Sequence, residues 1–288
     1  MSAMVISTNI SSLAAQRHLA SSRADMEQAM ERLSSGKRIN SAMDDAAGLT
    51  IAHSLDGKIA GLNQAVRNAN DGIALVNLTE GALEEVTSML VRMKELSTQA
   101  LNGTYSATDR DAMDLEFQQL ALGINSIANN TEWNGVSVLD GTTASIDFQL
   151  GDTSGDKITL NLTDMNYDVI GETSITRAGA AAGNEYLDDQ DLDTVTNAGY
   201  ALSVVNAAIE DVDSFRATLG SVANRMEHAA TNLMSRVEHQ SAARSRIEDA
   251  DYAVESANLA KAQVLQQAGT AMLAQANAST SNVVSLLR

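Results

Sequence analysis

The 288-residue sequence contains no cysteine and no proline, and only 3% of its residues are aromatic. The absence of cysteine excludes disulfide bonds and thiolate metal sites. The absence of proline means that no residue forces a helix to end. The apolar residues are mainly Ala, Leu, Val, Ile and Met, which suit long helices in close contact better than a bulky globular core. These absences predict a mainly α-helical protein.

Basic residues are also few: the sequence has 19 Lys and Arg but 37 Asp and Glu, which gives a net charge of -18. Residues 140–213 alone hold 15 acidic and 2 basic residues. An acidic surface repels phosphate, which argues against nucleic acid and anionic membranes as partners. The sequence has no run of 18 apolar residues, so we expect no membrane-spanning helix. The N-terminus has no basic segment followed by an apolar core, so we expect no cleaved secretory signal peptide.

Apolar residues at heptad spacing predict two long helices with a coiled-coil seam. A capping-box spacing of Ser41 and Asp44 precedes the first helix, and Asn102-Gly103 marks its end. Because the two helices match in length and period, we expect them to lie side by side and to bring the chain ends together. The first helix has the rows Leu55, Leu62, Ala69, Val76, Leu83, Leu90 and Ala52, Ile59, Val66, Ile73; the second has Val205, Val212, Leu219, Met226, Leu233 and Leu202, Ile209, Ala223, Ala230, Val237, broken by Arg216.

The chain between these two helices changes its period. A shorter helix is predicted over residues 108–128, with Thr108 and Asp111 as its cap. Two stretches of alternating apolar and polar residues then predict a β-hairpin with one buried face. Residues 171–190 show no period and are predicted to form an exposed loop. The alternating apolar residues are Ile146, Phe148, Leu150 and Ile158, Leu160, Leu162.

The two chain ends carry very little charge. No charged residue precedes Arg17, and Lys261 is the only one between Ser256 and Leu287. Residues 257–278 include eight alanines, each of which contributes only about 0.8 kcal/mol when its methyl is buried. Ordering the backbone costs about 1–2 kcal/mol per residue. We therefore expect the ends to be disordered in the monomer and to become ordered when many copies assemble.

The sequence lacks a phosphate loop, a dinucleotide glycine motif, an HExxH motif and a nucleophile elbow, so neither an enzyme nor a cofactor is predicted. Asp189, Asp191 and Asp193 have the spacing of the first calcium ligands of an EF-hand loop. Thr194 and Tyr200 stand where that loop needs glycine and glutamate. The favoured alternative is that these carboxylates precede a helix and stabilise its positive end.

Several long motifs resemble bacterial flagellin. They are "RLSSGKRINSAMDDAAGLTIA" from Arg32, "RNANDGIALVNLTEGALEEV" from Arg67, "WNGVSVLDG" from Trp133, "SAARSRIEDADY" from Ser241, with the stretch that follows it, and the closing "VVSLLR". The resemblance covers roughly residues 1–140 and 195–288, in the order that the family shows. Trp133 stands where the family has phenylalanine.

The resemblance implies a structural subunit of the extracellular flagellar filament used for motility. It implies three regions: an inner tube of terminal helices (1–42 and 254–288), an outer-layer helical domain (43–140 and 191–253), and a β-hairpin with an acidic surface loop (141–190). A hook-filament junction protein of the same fold and an enzyme displayed on a filament are the alternatives. By resemblance, the residues that pack the inner tube are Ile6, Ile10, Leu13, Leu259, Leu265, Met272, Leu273, Leu286 and Leu287.

The same resemblance implies a set of partners. The chain would form a helical homopolymer and would meet an export chaperone, a filament cap and hook-junction proteins after export through the flagellar type III apparatus. A Toll-like receptor of a host would recognise a patch that contains Arg92, Leu96 and Glu116, residues that also make axial contacts between subunits. No nucleic acid, membrane or cofactor is implied.

Overall fold

The computed structural model describes residues 9–175 and 183–286, with side chains for residues 9–172 and 186–278. Two compact units are present: residues 1–59 with 238–288, here called the terminal unit, and residues 60–237, the central unit. Most of the described residues are helical, which confirms the predicted fold class. The helices are α1 (Ile10–Ser35), α2 (Ala46–Ala100), α3 (Ala107–Asn130), α4 (Val195–Glu248) and α5 (Tyr252–Leu286).

The core of the central unit lies along the predicted heptad rows. The α4 row from Val205 to Leu233 is buried throughout, and Leu62, Leu83 and Leu90 of α2 are fully covered. The α3 face that carries Phe117 and Ile124 closes this core. Apolar side chains at a period close to that of the helix can all be buried together against a facing helix, so the period alone was sufficient to identify these positions.

Arg216, which interrupts the second heptad row, is explained by a partner on α2. Its Nε and one terminal nitrogen both donate to Glu80 Oε1, at 2.9 and 2.7 Å. This ion pair raises the pKa of Arg216, chiefly through the hydrogen bonds to Glu80. A charge therefore stands at a heptad position because the facing helix supplies a carboxylate beside it.

The two predicted capping sites are each displaced in the structure. Asp44 does accept hydrogen bonds from Ser41, but these close a turn ahead of α2. The helix begins at Ala46, and the side chain of Asp45 accepts from Gly48 N. The predicted cap of α3 by Thr108 and Asp111 is wrong.

A capping box two residues earlier begins α3. Ser106 and Asp109 bond each other's backbone N–H groups. Both pairs have the same spacing, so the sequence signal could not distinguish them.

The six described strands form three separate antiparallel pairs. The predicted hairpin is confirmed, because Ile146 lies opposite Leu160 and Phe148 opposite Ile158. Leu160 is fully buried, and the other three side chains are partly buried against the helical core. The strands are β1 (Glu132–Trp133), β2 (Val136–Ser137), β3 (Ser145–Gln149), β4 (Lys157–Asn161), β5 (Thr173–Ile175) and β6 (Gly183–Glu185).

The β1–β2 hairpin has a two-residue turn formed by Asn134 and Gly135. Both residues have positive φ, at 50° and 78°. A type I′ turn requires this conformation at both central positions, and Asn-Gly is the residue pair that adopts it most readily. The turn leaves Trp133 and Val136 at the surface.

The predicted exposed loop over residues 171–190 is wrong in part. Strands β5 and β6 pair within it, and a short 3-10 helix covers Leu187–Asp189. Leu187 and Gln190 are buried rather than exposed. The α3 side chain of Gln118 donates to the Gln190 carbonyl at 2.8 Å. A three-residue strand carries too few alternating residues to give a detectable period.

Candidate assembly and recognition surfaces

In the terminal unit, α1 and α5 pack side by side in opposite directions. Asn9, the N-cap of α1, donates from its side chain to the Ala276 carbonyl at 3.0 Å. Near the other end of α1, Arg32 pairs with Glu255 at 3.0 Å. Between these ends the contacts are small, and Ala29 is one of the few buried apolar side chains. The short side chains allow the two backbones to approach closely.

Large apolar side chains on this helix pair remain exposed. Ile10 is 71% exposed, Leu13 56%, Leu265 46% and Met272 63%. These are four of the residues expected to pack the inner tube. Uncovered apolar side chains of this size are typical of surfaces that bind another molecule.

The remaining predicted tube residues divide into two groups. Leu259 and Leu273 are partly buried in the single chain. Ile6 and Leu287 lie outside the described residues, and Leu286 lies outside the described side chains. The assignment of all nine residues to tube packing therefore stays a prediction.

A cavity of about 420 Å³ lies along the exposed apolar side chains, between α1 and α5. Ala15 and His18 of α1 line it from one side, and Leu265, Gly269 and Met272 of α5 from the other. Its walls are mostly small or apolar, so a side chain from another molecule would be accommodated here mainly by apolar contact.

Ionic contacts hold the ends of α1 and α4 together within the terminal unit. Lys37 forms an ion pair with Glu248, whose side chain is 9% exposed. Arg38 donates through its guanidinium to the Ile247 carbonyl at 2.7 Å and through its backbone to the Glu248 carbonyl at 2.6 Å. Arg244 forms a further ion pair with Asp56 of α2.

Sequence reasoning missed this ionic cluster. Its partners are separated by about two hundred positions in the chain, for example 209 between Arg38 and Ile247. The only local signal was the run of charges that follows α1 and the one that ends α4, and such runs are usually solvated.

The predicted recognition patch brings Arg92 and Glu116 together in the central unit. Arg92 Nε donates to Glu116 Oε1 at 2.7 Å, and a terminal nitrogen donates to Glu95 Oε2 at 3.0 Å. All three side chains are about half exposed. The hydrogen bond from Arg92 lowers the pKa of the Glu116 carboxyl, and the two carboxylates, first Glu116, raise the pKa of Arg92. The pair is thus charged over the whole physiological pH range.

Leu96, the third residue of the predicted patch, is buried in the single chain, and its part in recognition stays a prediction. This side chain is only 1% exposed and belongs to the apolar core, as does the neighbouring Met93. Leu96 therefore offers almost no surface of its own to a partner in this conformation. Its place in a motif indicated a role but could not show which way the side chain faces.

The acidic residues ahead of α4 are used locally. Asp191 accepts a hydrogen bond from the Asn197 side chain at 2.5 Å, and the Thr194 hydroxyl accepts from the Asn197 backbone N–H at 3.1 Å. Across the described part of the chain, no three His, Asp or Glu side chains are arranged to hold a metal ion. Among those same residues, no helix is both long enough and apolar enough to cross a membrane.

The paired ends of this helical chain leave large apolar side chains uncovered. This feature is typical of structural proteins that assemble with copies of themselves. The model of the bacterial flagellin N-terminal helical region matches residues 6–144, and that of the C-terminal helical region matches residues 202–287. This chain belongs to the flagellin family, and it is a structural subunit of the bacterial flagellar filament, an extracellular assembly used for motility.

Full-length relatives agree with this assignment. A flagellin of Halalkalibacterium halodurans is 40% identical, with 99% of this chain and all of that protein aligned. Flagellin E of Vibrio cholerae serotype O1 is 34% identical, with the same coverage of both chains. Among solved structures, the crystal structure of Bacillus cereus flagellin has a TM-score of 0.48 at 34% identity, and the match covers 58% of this chain and 88% of that one. The two family models and the two full-length flagellins favour a filament subunit over a hook-filament junction protein.

Proposed function

We propose that this flagellin polymerises by covering the exposed apolar side chains of α1 and α5 with the same helices of neighbouring copies. The observation that carries the proposal is the exposure of Ile10, Leu13, Leu265 and Met272. The first two precede the first charged residue of α1, and the other two lie where α5 has only one charge. Each large apolar side chain contributes about 1.5–3 kcal/mol when it moves from water to a packed interior. Several such residues per subunit contribute part of the free energy that opposes the cost of ordering the chain ends.

Association of this kind joins one face of a subunit to a different face of the next. Such a contact does not close into a small ring unless the rotation allows it, and otherwise it continues as a helical polymer. The inner tube would consist of residues 1–42 and 254–288, and the outer layer of residues 43–140 and 191–253. The acidic region 141–190 would face water, where like charges keep filaments apart.

Deletion of residues 259–288 tests the proposal. We expect the shortened chain to remain a soluble monomer and to fail to elongate seeds, as measured by sedimentation and electron microscopy. Normal filaments from the shortened chain would contradict the proposal.

A matched pair of substitutions locates the effect more closely. Met272 on α5 and Met234 on α4 are both more than half exposed, but only Met272 lies on the helix pair. We expect Met272→Ser to raise the critical concentration for elongation several-fold, and Met234→Ser to leave it near that of the unaltered chain.

We also infer that the subunit performs no catalysis. Support comes from the absence of catalytic motifs in the sequence and from the structural role of the family.

Resemblance to the family further supports export without a cleaved signal peptide, together with binding to an export chaperone, a filament cap and hook-junction proteins. Intact mass of purified filaments tests whether export occurs without cleavage of a signal peptide, because the mass reports any residues removed from the N-terminus.

Recognition by a Toll-like receptor is proposed for the surface around Arg92 and Glu116. The ion pair between them is half exposed, whereas Leu96 on the same helix as Arg92 is buried. We expect Arg92→Ala to weaken receptor activation in a reporter assay with monomeric protein. Arg67→Ala is a suitable control, because Arg67 bonds only Gln64 on its own helix among the described contacts. Equal loss from both substitutions would contradict a specific role for Arg92.

A further inference from the structure

Met272 is the one methionine of α5, and its side chain is 63% exposed. A peroxide converts an exposed methionine to its sulfoxide, whereas a buried methionine is protected because the reagent does not reach the sulfur. Exposure therefore separates the most reactive methionines from the protected ones. The exposed ones are Met30, Met43, Met234 and Met272, and the fully buried ones are Met93, Met165 and Met226.

The side chain of Met272 lines the cavity of about 420 Å³ between α1 and α5. In the described part of the chain, no Asp, Glu, Lys or Arg lines this cavity. Three polar residues of α1, Ser11, His18 and Ser22, do line it, but none forms a hydrogen bond with Met272 among the described contacts. An oxygen atom added to the sulfur would therefore enter a cavity that has few hydrogen-bond donors.

Oxidation changes the chemical character of this side chain. One oxygen atom of hydrogen peroxide forms a bond to the sulfur, the oxygen–oxygen bond breaks, and the other oxygen leaves as water. The sulfur loses two electrons and the peroxide is reduced. The flexible apolar thioether thereby becomes a polar sulfoxide that accepts hydrogen bonds.

A sulfoxide at Met272 opposes the contact between copies in either of two ways. If it finds no donor when a neighbouring copy covers it, it loses its hydrogen bonds to water without replacement. If it accepts from Ser11, Ser22 or His18, it occupies space in the cavity that a side chain of the neighbour would fill. The unmodified thioether has neither effect, because it contributes only apolar contact.

We propose that Met272 is an oxidation site that controls addition of the subunit to the filament. A peroxide oxidises Met272 in the free subunit and so prevents its addition, while packing between copies protects the same sulfur in the filament. The inference rests on the proposed polymerisation through α1 and α5. It adds a chemical modification of one residue to that surface, together with the class of reagent that makes it.

Peptide mass mapping after treatment with hydrogen peroxide tests where the reaction occurs. In the dilute full-length monomer we expect Met272 and Met43 to be oxidised well before the buried Met226. In filaments given the same treatment, Met272 should be oxidised several-fold more slowly than in the monomer. A short methionine peptide added to both samples checks that the reagent is equally active. Equal oxidation of Met272 in monomer and filament would overturn the proposal.

Elongation of untreated seeds by peroxide-treated monomer tests the consequence. We expect the critical concentration of the unaltered chain to rise at least about fivefold, which corresponds to about 1 kcal/mol. Met272→Leu keeps an apolar side chain of similar size but has no sulfur, so its critical concentration should change less than about twofold on treatment. Met43→Leu is the matched control, because Met43 is 96% exposed but lies in the turn ahead of α2. This variant should be inhibited as strongly as the unaltered chain.

Reduction of the treated monomer with methionine sulfoxide reductases should restore elongation, because these enzymes reverse the reaction. Circular dichroism of the treated monomer should show an unchanged unfolding temperature, since the fully buried methionines remain unoxidised. Inhibition of Met272→Leu as strong as that of the unaltered chain would overturn the proposal, as would normal elongation by a chain that carries the sulfoxide at Met272. Failure of the untreated chain to elongate seeds would instead contradict the proposed function.

Discussion

Gly72 of α2 lies beside Met226 of α4 and Phe148 of β3, and we predict that Gly72→Ala destabilises the central unit. A methyl group at this position would lie 2.7 Å from Met226 Sδ, 3.0 Å from Met226 Cε and 3.1 Å from Phe148 Cδ1. Comfortable contacts between such atoms are about 3.5–4.0 Å. Met226 is fully buried, so its side chain has little space into which to move.

The size of the effect follows from two opposing terms. Overpacking a dense core costs typically about 1–3 kcal/mol. Replacement of glycine by alanine inside a helix raises the free energy of unfolding by about 0.8–1.0 kcal/mol, because alanine has the higher helix propensity. We therefore expect Gly72→Ala to lower the free energy of unfolding by up to about 2 kcal/mol. Gly81, on the same helix, has no atom within 4 Å of the added methyl, so Gly81→Ala should stabilise by about 0.8–1 kcal/mol.

Urea unfolding of the dilute monomer measures both substitutions. Trp133 is the single tryptophan and lies in the central unit with Gly72 and Gly81, so its fluorescence reports this unit directly. Circular dichroism of the same samples checks that one transition is being followed. If Gly72→Ala proves as stabilising as Gly81→Ala, the close approach at Gly72 does not exist in solution.

A double substitution gives the sharper test. Met226→Ala alone should cost about 2–5 kcal/mol, because it leaves a cavity in the core. The added methyl at Gly72 would then enter the space that Met226 vacates. The two substitutions should therefore be coupled favourably, by about 0.5–3 kcal/mol. Additive effects would contradict the packing described here.

Two further predictions concern buried polar contacts of the central unit. Burial, with a smaller contribution from Asp193 and Asp191, raises the pKa of Asp114, although the backbone N–H of Leu192 bonds the carboxylate at 3.0 Å. A raised folded-state pKa means that ionised Asp114 opposes folding above that pKa and no longer does so below the unfolded value. Asp114→Asn should therefore be more favourable relative to the unaltered chain at pH 7 than at pH 4, as measured by urea unfolding at both values; a difference independent of pH would refute this. Arg110 is buried and donates to the Ala100 carbonyl at 2.9 Å, at the end of α2, so Arg110→Met should lower the unfolding free energy by about 1.5–3 kcal/mol, and a change below 0.5 kcal/mol would contradict this role.

Much of the candidate site could be reached from sequence, but only as a set of residue types. The weakly charged ends stand out against an acidic chain and predicted a covered surface, but Leu13 and Met272 were assigned to it by resemblance. Arg92 and Glu116 were identified by resemblance, and their contact confirms only that they are neighbours. The burial of Leu96 could not be predicted in this way, because a motif records which residues occur together and not which side of the helix each one occupies.

The sequence by itself determined the long helices and the β3–β4 hairpin. Apolar periods of 3.5 and 2 residues involve only residues close together in the chain, and they repeat along each helix or strand. Only the tertiary structure decided how the helix ends are held. Arg32 meets Glu255 across 223 positions, and Lys37 meets Glu248. The tertiary structure also decided that Arg216 could occupy a heptad position, since Glu80 lies beside it. Charges that pair across a fold carry no periodic signal, because their contribution depends on which distant segment arrives beside them.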